Sequence, residues 1–532
     1  MTRGVMMGVL TVVLAGTVLL SPWKRDLYVG DETKYGQVIR EMHSSDRILL
    51  PLLNGSPYSH KPPLHFWFIY ALTVLASTTT LWPYVIPSIV GYVALLLIIR
   101  LMARELFDED PGWMPSILFG SFYLIWGLAQ TARMDLEFTA LIGIAVLCLF
   151  RLFRDGDARQ PLWAGIAVGV AILIKGPMAF VMVLMLMILE GLRRRRLPKG
   201  AYLTGIAVAA LIPLLWLIPA IMQGGGDYAR ELLIKQNIDR AVGSWVHRAP
   251  PWFYLVRFPL TFFPWFMLVI AAFVALFRRS YSERDRESLR FSLSWFLAVL
   301  IPFSLISSKL DIYMVPAMVP ASLIAAHFVN STVRDRWTRV GAMGNLVVLS
   351  LLGVGAVSAL FMRPGLMARS AEYAALGGGL VTALLVLTAI ISLVAIVAVL
   401  VSRQRLLAST VALLITSLFP LVFAAAALIP LANRFGSTAP LIASLDRLNV
   451  PGERIALFRS PYLWSRNMPA SFAHVQYIGS DAAVSDKFTT QPLIVAAQSD
   501  KVQQLGEEFI RRYVKIDQVR MKGKTFDVYR RR

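Results

Sequence analysis

The chain has 532 residues, of which 57% are hydrophobic, and its mean hydropathy is +0.61. These values exclude a soluble globular protein and are typical of a protein that crosses a membrane many times. Only 16% of the residues are charged, yet lysine and arginine exceed aspartate and glutamate enough to give a net charge of +21. The basic residues are scattered between apolar segments, so we expect basic cytoplasmic loops and no nucleic-acid partner.

The chain opens with an apolar run at residues 5–22. A signal peptide would have a similar composition, but no cleavage site of small residues follows, so we expect a retained first transmembrane helix. The single cysteine, Cys148, lies in a later apolar run. One cysteine excludes a disulfide framework.

A polar stretch from Trp23 to Trp67 follows, and it carries the residues around which the chain is organised. Carboxylates and a lysine beside a membrane are costly unless they serve a function. A solvated loop would explain any one of these charges, but it does not explain the whole set. Three motifs occur in this stretch, in the order Asp31-Glu32-x-x-Tyr35, Asn54-Gly55-x-Pro57-Tyr58 and His60-Lys61-Pro62-Pro63-Leu64.

This order of motifs resembles the first outer loop of membrane glycosyltransferases that use polyprenyl-phosphate sugars. These are the protein O-mannosyltransferase-like and aminoarabinose lipid A transferase-like enzymes, and the resemblance covers the chain up to about Pro320. It implies a C-type glycosyltransferase fold, which is an all-α polytopic membrane protein with juxtamembrane helices in its first outer loop. It also implies a polyprenyl-phosphate sugar as donor, and lipid A, a protein or an envelope glycan as acceptor.

Apolar runs along the chain predict about thirteen transmembrane helices. Their ranges are 5–22, 82–101, 113–131, 134–153, 161–174, 177–191, 201–221, 252–277, 291–306, 313–330, 341–361, 375–402 and 407–430. The distribution of charge decides whether one further apolar run, 64–77, crosses the membrane. The arginine-rich loops all face the cytoplasm only if this run does not cross the membrane. We therefore expect 64–77 to lie in the outer interface, within a first outer loop at 23–81.

From about Ala432 the composition becomes that of a soluble domain. We predict a transmembrane glycosyltransferase domain at 1–431 and a small α/β domain at 432–532. The second domain should contain strands at IALF, HVQYI and PLIVAA, a helix within 501–511, and two last strands that pair across Lys522-Gly523-Lys524. The alternation of spans predicts that this domain and the polar loops lie outside a bacterial inner membrane.

Transfer from a sugar phosphate needs a carboxylate near the acceptor hydroxyl and cations near the phosphate. The resemblance suggests Asp31 as the general base and Asp135 as a second acidic site that orients the acceptor or supports the base. Glu32 is either a substitute for Asp31 or a structural cap. For Asp135 the ordinary alternative is the N-cap of the fourth helix.

The first candidate for the donor phosphate is Lys61, whose backbone is stiffened by the two prolines that follow it. Its alternative role is snorkelling at the interface. Lys309 and Tyr313 belong to a segment that resembles the family's Lys-Leu-Pro-x-Tyr, although Asp311 replaces the proline. The remaining candidates are three arginines of the outer region, Arg240, Arg248 and Arg257.

No cofactor is expected to be required. His60 and His247 are candidate ligands for a divalent metal by the same resemblance, but two histidines do not define a site, and hydrogen bonding between loops is the alternative. The second class of function is a transporter or flippase of an anionic lipid-linked sugar. Transporters carry polar residues near the bilayer midplane in repeated halves. Here the polar residues gather at one face without a strong repeat, which favours a glycosyltransferase; the resemblance implies a hexosyl- or pentosyltransferase. We expect inversion, because a retaining route needs a second carboxylate and Glu32, next to Asp31 in sequence, points elsewhere.

Overall fold

A computed structural model describes residues 3–20, 25–28, 30–107, 112–195, 201–239, 248–278, 281–331, 436–465, 492–521 and 524–532, and otherwise only scattered residues from 344 to 433 and from 468 to 478. Up to residue 331 the described chain is mostly helical. Its helices are α1 (Arg3–Leu20), α2 (Asp31–Ser45), α3 (Leu64–Leu75), α4 (Trp82–Leu106), α5 (Met114–Gly120), α6 (Tyr123–Ala129), α7 (Asp135–Asp155), α8 (Gln160–Lys175), α9 (Met178–Arg194), α10 (Ala201–Arg230), α11 (Phe253–Thr261), α12 (Phe266–Arg278), α13 (Glu283–Leu305) and α14 (Val315–Ser331). A π-helix at Glu231–Asp239 continues α10, and a 3-10 helix at Asp311–Met314 precedes α14.

Within the described ranges, five helices are long and apolar enough to cross a membrane, or six if the bent pair α11 and α12 forms one span. Shorter apolar helices occur at Met7–Leu19, Leu64–Leu75 and Gln160–Lys175. The expected polytopic helical membrane protein is thus confirmed in its coarse form. The predicted spans 341–361, 375–402 and 407–430 lie mostly outside the described residues, so the total of thirteen stays a prediction.

Two of the predicted spans are not continuous helices. The run at 113–131 forms α5 and α6, and the run at 252–277 forms α11 and α12, which are bent by 119°. At the first break the hydroxyl of Ser121 donates to the carbonyl of Ile117 at 2.6 Å and accepts the indole N–H of Trp265 at 2.8 Å. At the second break stands Pro264, which has no backbone N–H to continue a helix.

The first outer loop contains α2, a short hairpin and α3. The hairpin pairs β1 (Leu52–Leu53) with β2 (Ser56–Pro57) through Asn54 and Gly55, whose φ angles are 56° and 73°. Two-residue hairpin turns require such left-handed residues, which explains the Asn-Gly of the second motif. The carboxylate of Glu41 on α2 accepts both backbone N–H groups of this turn, at 2.8 and 2.9 Å.

Helix α3 has 12 residues and is therefore about 18 Å long. The hydrocarbon core of a bilayer is about 30 Å thick. This length supports the expectation that the run at 64–77 does not cross.

Helix α4 packs closely on the start of α7. A methyl group on Gly91 of α4 would lie 2.4 Å from the backbone nitrogen of Glu137, so only glycine allows this approach. Ser88 of α4 also binds the loop before α7, because its hydroxyl reaches the carbonyls of Thr131 and Arg133 at 2.6 Å. The packing fixes the end of α7 that carries Asp135.

The C-terminal part contains a five-stranded sheet in the order β4-β3-β5-β7-β6. Its strands are β3 (Ile455–Phe458), β4 (Gln476–Ile478), β5 (Ile494–Gln498), β6 (Tyr513–Met521) and β7 (Lys524–Arg531), and its helices are α15 (Ala439–Asp446) and α16 (Gly506–Arg512). Strands β3, β4 and β5 are parallel, whereas β7 is antiparallel to β5 and β6. The predicted pairing of the last two strands is confirmed, and the domain boundary at 431/432 stays a prediction.

Candidate functional site

A cavity of about 440 Å³ lies where the ends of several distant segments meet. It is bounded by the start of α2, the loop before α3, the loop before α7, the end of α8, the π-helix and the 3-10 helix. Cations outnumber carboxylates along its described wall, which suits an anionic ligand. The charged side chains are Lys34, Lys61, Arg133, Lys175 and Lys235 against Asp31, Asp135 and Glu231.

Asp31 is the first residue of α2 and reaches into this cavity. One carboxylate oxygen lies 3.2 Å from Nζ of Lys34, and the other lies 2.8 Å from Nη1 of Arg133. Burial alone would raise the pKa of Asp31, but Lys34 and Arg133, with a smaller attraction from Lys61, lower it below its ordinary value. The side chain is 41% exposed, so the ionised carboxylate remains open to a ligand.

Asp135, at the start of α7, is buried and lies between two cations. Arg133 Nε approaches one carboxylate oxygen at 3.2 Å, and the ammonium of Lys175 at the end of α8 binds the other. Arg133 therefore joins Asp31 and Asp135. The ammonium of Lys175 also lies 5.5 Å from the ring centroid of Tyr313, a distance that permits a cation–π contact.

Lys61 and Tyr313, predicted for the donor phosphate, and His60, a predicted metal ligand, also line the cavity. The ring of His60 lies 5.2 Å from that of Tyr58. Lys61 contributes to lowering the pKa of Asp31. Residues of the first and third motifs thus line the same cavity.

The structure corrects the interpretation of Glu32 as a catalytic carboxylate. Glu32 is 5% exposed, and its two oxygens accept hydrogen bonds from both terminal nitrogens of Arg25, at 2.8 and 2.9 Å. They also accept the backbone N–H groups of Tyr28 and Ala132, at 2.8 and 2.6 Å. With four donors, Glu32 holds the chain before α2 against the loop before α7, and it is not among the described residues that line the cavity.

Arg257 does not reach the cavity either. Its guanidinium forms a two-point ion pair with Asp311, in which Nε lies 3.0 Å from a carboxylate oxygen. Asp311, which interrupts the family's Lys-Leu-Pro-x-Tyr pattern, is thus the partner of Arg257. The structure thus describes Arg257 in an ion pair away from the cavity, and its phosphate contact stays a prediction.

Two other predicted phosphate ligands are also placed elsewhere. Lys309 is 3% exposed, and its ammonium donates to the backbone carbonyl of Ile306. Arg248 forms a backbone bridge with Ser308, and neither basic residue is among the described residues that line the cavity. Arg240, and with it the candidate metal ligand His247, lies outside the described residues.

Sequence reasoning gave no catalytic role to Arg133 or Lys175, which the predicted spans place in short loops at the outer face. The charge alternation was the available signal, but it did not say that both side chains converge on Asp135. The sequence assigned no role to Glu231 and Lys235, which form an ion pair of 3.0 Å on the π-helix. Their position in the cavity depends on how the long helix α10 is continued.

The described part of the chain contains no cluster of three metal-ligating side chains. There, no three histidine, cysteine, aspartate or glutamate side chains come close enough to hold an ion. The predicted pair of His60 and His247 remains a prediction, because only His60 is described.

A second cavity of about 140 Å³ adjoins the first and shares Lys61, Lys175, Gln236 and Tyr313 with it. The rest of its described wall is mostly apolar. These apolar residues are Phe138, Pro177, Met178, Phe303, Ile306 and Pro316. The shared residues therefore stand between a polar cavity and an apolar one.

Comparisons with known proteins identify one matching family and several similar enzymes. Residues 60–218 match the family described as dolichyl-phosphate-mannose-protein mannosyltransferase. The chain is 29% identical over 348 residues to the undecaprenyl phosphate-alpha-4-amino-4-deoxy-L-arabinose arabinosyl transferase of Pseudomonas paraeruginosa, covering 63% of this chain and 62% of that one. An enzyme of the same name from Pseudomonas fluorescens is 27% identical over 354 residues, covering 65% and 61% of the two chains. The chain thus matches less than two thirds of these relatives' length.

A solved structure extends the likeness to nearly the whole chain. The crystal structure of ArnT from Cupriavidus metallidurans bound to undecaprenyl phosphate has a TM-score of 0.77 and covers 99% of this chain and 98% of that chain, at 17% identity. At this identity the likeness shows a shared fold. The resemblance to polyprenyl-phosphate-sugar-dependent membrane glycosyltransferases that the motifs indicate is therefore confirmed, and so is the C-type glycosyltransferase fold.

Proposed function

We propose that this protein is an integral-membrane glycosyltransferase that moves a sugar from a polyprenyl-phosphate donor to an acceptor hydroxyl or phosphate, with inversion. One observation carries the proposal. Asp31, Lys61, Asp135 and Lys175 come from four separate segments, yet they line one cavity whose wall is rich in cations. The names of the similar proteins, which specify undecaprenyl phosphate and dolichyl phosphate, support this class of donor.

The donor's phosphate would sit at the junction of the two cavities. Lys61, Lys175 and Tyr313 line both of them, so two ammonium groups and a phenol hydroxyl are available to the phosphate oxygens. The apolar second cavity would take the first isoprenoid units, and the polar first cavity would take the sugar. A ligand with an anionic centre between an apolar chain and a sugar matches this arrangement.

Asp31 is our general base. In the proposed step the acceptor oxygen attacks the anomeric carbon, and its proton passes to the Asp31 carboxylate. The bond from the anomeric carbon to the phosphate oxygen breaks, and polyprenyl phosphate leaves with the electron pair. Cations around the phosphate stabilise the charge that develops on it.

The burial and ion pairs of Asp135 favour a reaction that inverts the anomeric configuration over one that retains it. A retaining route needs a second carboxylate free to attack the sugar, about 5–5.5 Å from the first in glycosidases. Asp135 is buried and bound by Arg133 and Lys175, so it is poorly suited as a nucleophile. We assign it the role of orienting Arg133 and Lys175 toward the substrates.

The distribution of arginines supports a cavity at the outer face. At the end of α7 opposite Asp135, Arg151 pairs with Glu105 of α4. At the same end, Arg193 of α9 pairs with Glu287 of α13, 2.6 Å away. An arginine-rich end is expected in the cytoplasm. We therefore propose thirteen spans, with the cavity and the domain at 432–532 on the periplasmic side of the inner membrane.

Labelling of introduced cysteines would test this orientation. Ala439→Cys should react with an impermeant thiol reagent in intact cells, and Arg284→Cys should react only after lysis. The native Cys148 is buried and would give little background. Labelling of Arg284→Cys from outside would refute the scheme.

The catalytic proposal is tested with purified protein and polyprenyl-phosphate sugars carrying aminoarabinose or mannose, the sugars that the similar proteins' names mention. Lipid A, a protein and an envelope glycan fraction would be offered as acceptors. Release of polyprenyl phosphate, with a product of inverted anomeric configuration, is the expected result. Recovery of intact donor on the opposite side of a vesicle would instead indicate the transporter or flippase, and a product with the donor's configuration would exclude inversion.

A further inference from the structure

A segment of the C-terminal part, residues 462–465, packs against α2, the helix that begins with Asp31. We call it the anchor segment. Its residue Trp464 is completely buried, although most of the chain around it belongs to the small sheet-containing part. Its backbone is fixed by Thr438, whose hydroxyl donates to the carbonyl of Trp464 at 2.6 Å and accepts its N–H at 2.8 Å.

The indole of Trp464 fills the space between α2 and α4. Its N–H donates to the backbone carbonyl of Thr78 at 3.1 Å, and the phenol of Tyr84 donates to the same carbonyl at 2.8 Å. The two rings meet edge to face, with centroids 5.7 Å apart. On the other side, a methyl group on Gly36 of α2 would lie 2.8 Å from Cδ1 of Trp464. Only glycine lets α2 rest directly on this ring.

A second contact lies one helical turn further along α2. Arg40 is 6% exposed, and one of its terminal nitrogens donates to the carbonyl of Leu463 in the anchor segment at 2.6 Å. The same nitrogen lies 2.5 Å from the side-chain oxygen of Gln37. The face of α2 that carries Gly36 and Arg40 is thus held by consecutive residues of the anchor segment.

We propose that the anchor segment sets the position of Asp31, with Trp464 as the positioning residue. This inference rests on the proposed function, in which Asp31 is the base. Gly36 is five residues from Asp31, which is about 7.5 Å along the helix axis, so a shift of α2 at Gly36 moves the carboxylate with it. Misplacement of a catalytic group by about 1 Å can cost on the order of 10²-fold in rate. The C-terminal part would therefore be needed for catalysis without contributing a side chain to the cavity.

The test compares Gly36→Ala, Trp464→Ala and the double variant in the full-length protein. We expect each single variant to lower kcat, by up to about 10²-fold, while the affinity for undecaprenyl phosphate stays within about threefold of wild type. Both changes act on one contact, so the loss in the double variant should be clearly smaller than the product of the single losses. Trp464→Phe, which keeps the ring against Tyr84, should restore most of the activity that Trp464→Ala loses.

A stabilising role alone would give a different pattern. Phe509→Ala is the matched control, because Phe509 is buried in the C-terminal part and stacks on Tyr513 without reaching α2. It should lower the thermal midpoint and leave kcat per folded molecule unchanged. If Trp464→Ala behaves as Phe509→Ala does, or if the losses from Gly36→Ala and Trp464→Ala simply multiply, the proposal is overturned.

Hydrogen exchange gives a readout that does not depend on transfer. The amides of residues 31–36 should exchange faster in Trp464→Ala than in wild type, and at the wild-type rate in Phe509→Ala. Unchanged exchange in Trp464→Ala would overturn the positioning role. A wild-type protein that binds undecaprenyl phosphate and transfers nothing would instead refute the proposed function, and the exchange result would still decide the position of α2.

Discussion

Asp31 and Glu32 are neighbours in sequence, and we expect their amides to have opposite effects. Asp31→Asn should fold normally and lose turnover, whereas Glu32→Gln should lose stability and keep the turnover of the molecules that fold. The comparison is matched, because each variant replaces one carboxylate by its amide at the start of α2. A general role of negative charge at this helix end would affect both variants alike.

The loss in Asp31→Asn follows from the chemistry of a general base. Removing such a group costs about 10²–10⁴ in rate, or roughly 3–5 kcal/mol of transition-state stabilisation. The fold should tolerate the change. The asparagine oxygen can still accept from Arg133, and the lost ion pair with Lys34 joins side chains that are 41% and 26% exposed. Exposed pairs of this kind contribute about 0–1 kcal/mol.

The loss in Glu32→Gln is one of stability. Glu32 accepts four hydrogen bonds in a buried site, two of them from Arg25, which is 1% exposed. A glutamine offers one oxygen and turns its amide N–H groups toward donors, so the buried guanidinium of Arg25 loses the carboxylate that binds both of its terminal nitrogens. Breaking a buried ion pair in this way costs about 3–5 kcal/mol.

Two measurements separate the variants. Turnover is followed as polyprenyl phosphate released at saturating donor, and stability as the thermal midpoint of the purified protein in detergent. Full turnover in Asp31→Asn would refute its role as the base. A normal thermal midpoint in Glu32→Gln, together with a large loss of turnover, would return Glu32 to the catalytic site and refute our interpretation of its four hydrogen bonds.

Three further expectations concern residues that line the cavity or that the sequence predicted to line it. Lys61→Ala should weaken donor binding roughly tenfold to a few hundredfold, which is the contribution of a hydrogen bond to a charged group. Lys61→Arg should retain part of the affinity for the donor. Unchanged turnover of Lys61→Ala at subsaturating donor would remove Lys61 from the site. The pKa of Asp31 is lowered below 3.8 by its cationic neighbours, so its carboxylate is ionised above that pH, and the Asp31-dependent loss of kcat/KM should appear only below about pH 4. Arg133→Gln should move this acid limb upward, and a wild-type limb centred above about pH 5 would contradict the assignment. Arg257→Gln and Asp311→Asn should each lower the thermal midpoint slightly and leave the donor KM within about twofold, whereas a tenfold rise in KM for Arg257→Gln alone would restore its predicted phosphate contact.

The sequence alone determined the class of protein and the local chemistry of its outer loop. Long apolar runs identify membrane-spanning segments directly, because the lipid interior excludes charged residues over the length of a span. The Asn54-Gly55 pair was identified as part of a motif by the resemblance, and the structure shows that its two left-handed residues form a hairpin turn. Asp31, Asp135, Lys61 and Tyr313 were also identified by the resemblance, and all four line the cavity.

The tertiary structure decided which of two neighbouring side chains faces the cavity. Consecutive residues of a helix point about 100° apart, and the rotation of α2 is fixed by packing against distant residues. That packing turns Asp31 to the cavity and Glu32 to Arg25. Long-range partners also decided the roles of Arg133 and Arg257, because a pattern of charges along the chain does not say which carboxylate each one meets. The contact of Trp464 with Gly36 joins residues more than 400 positions apart, and only the folded chain brings such residues together.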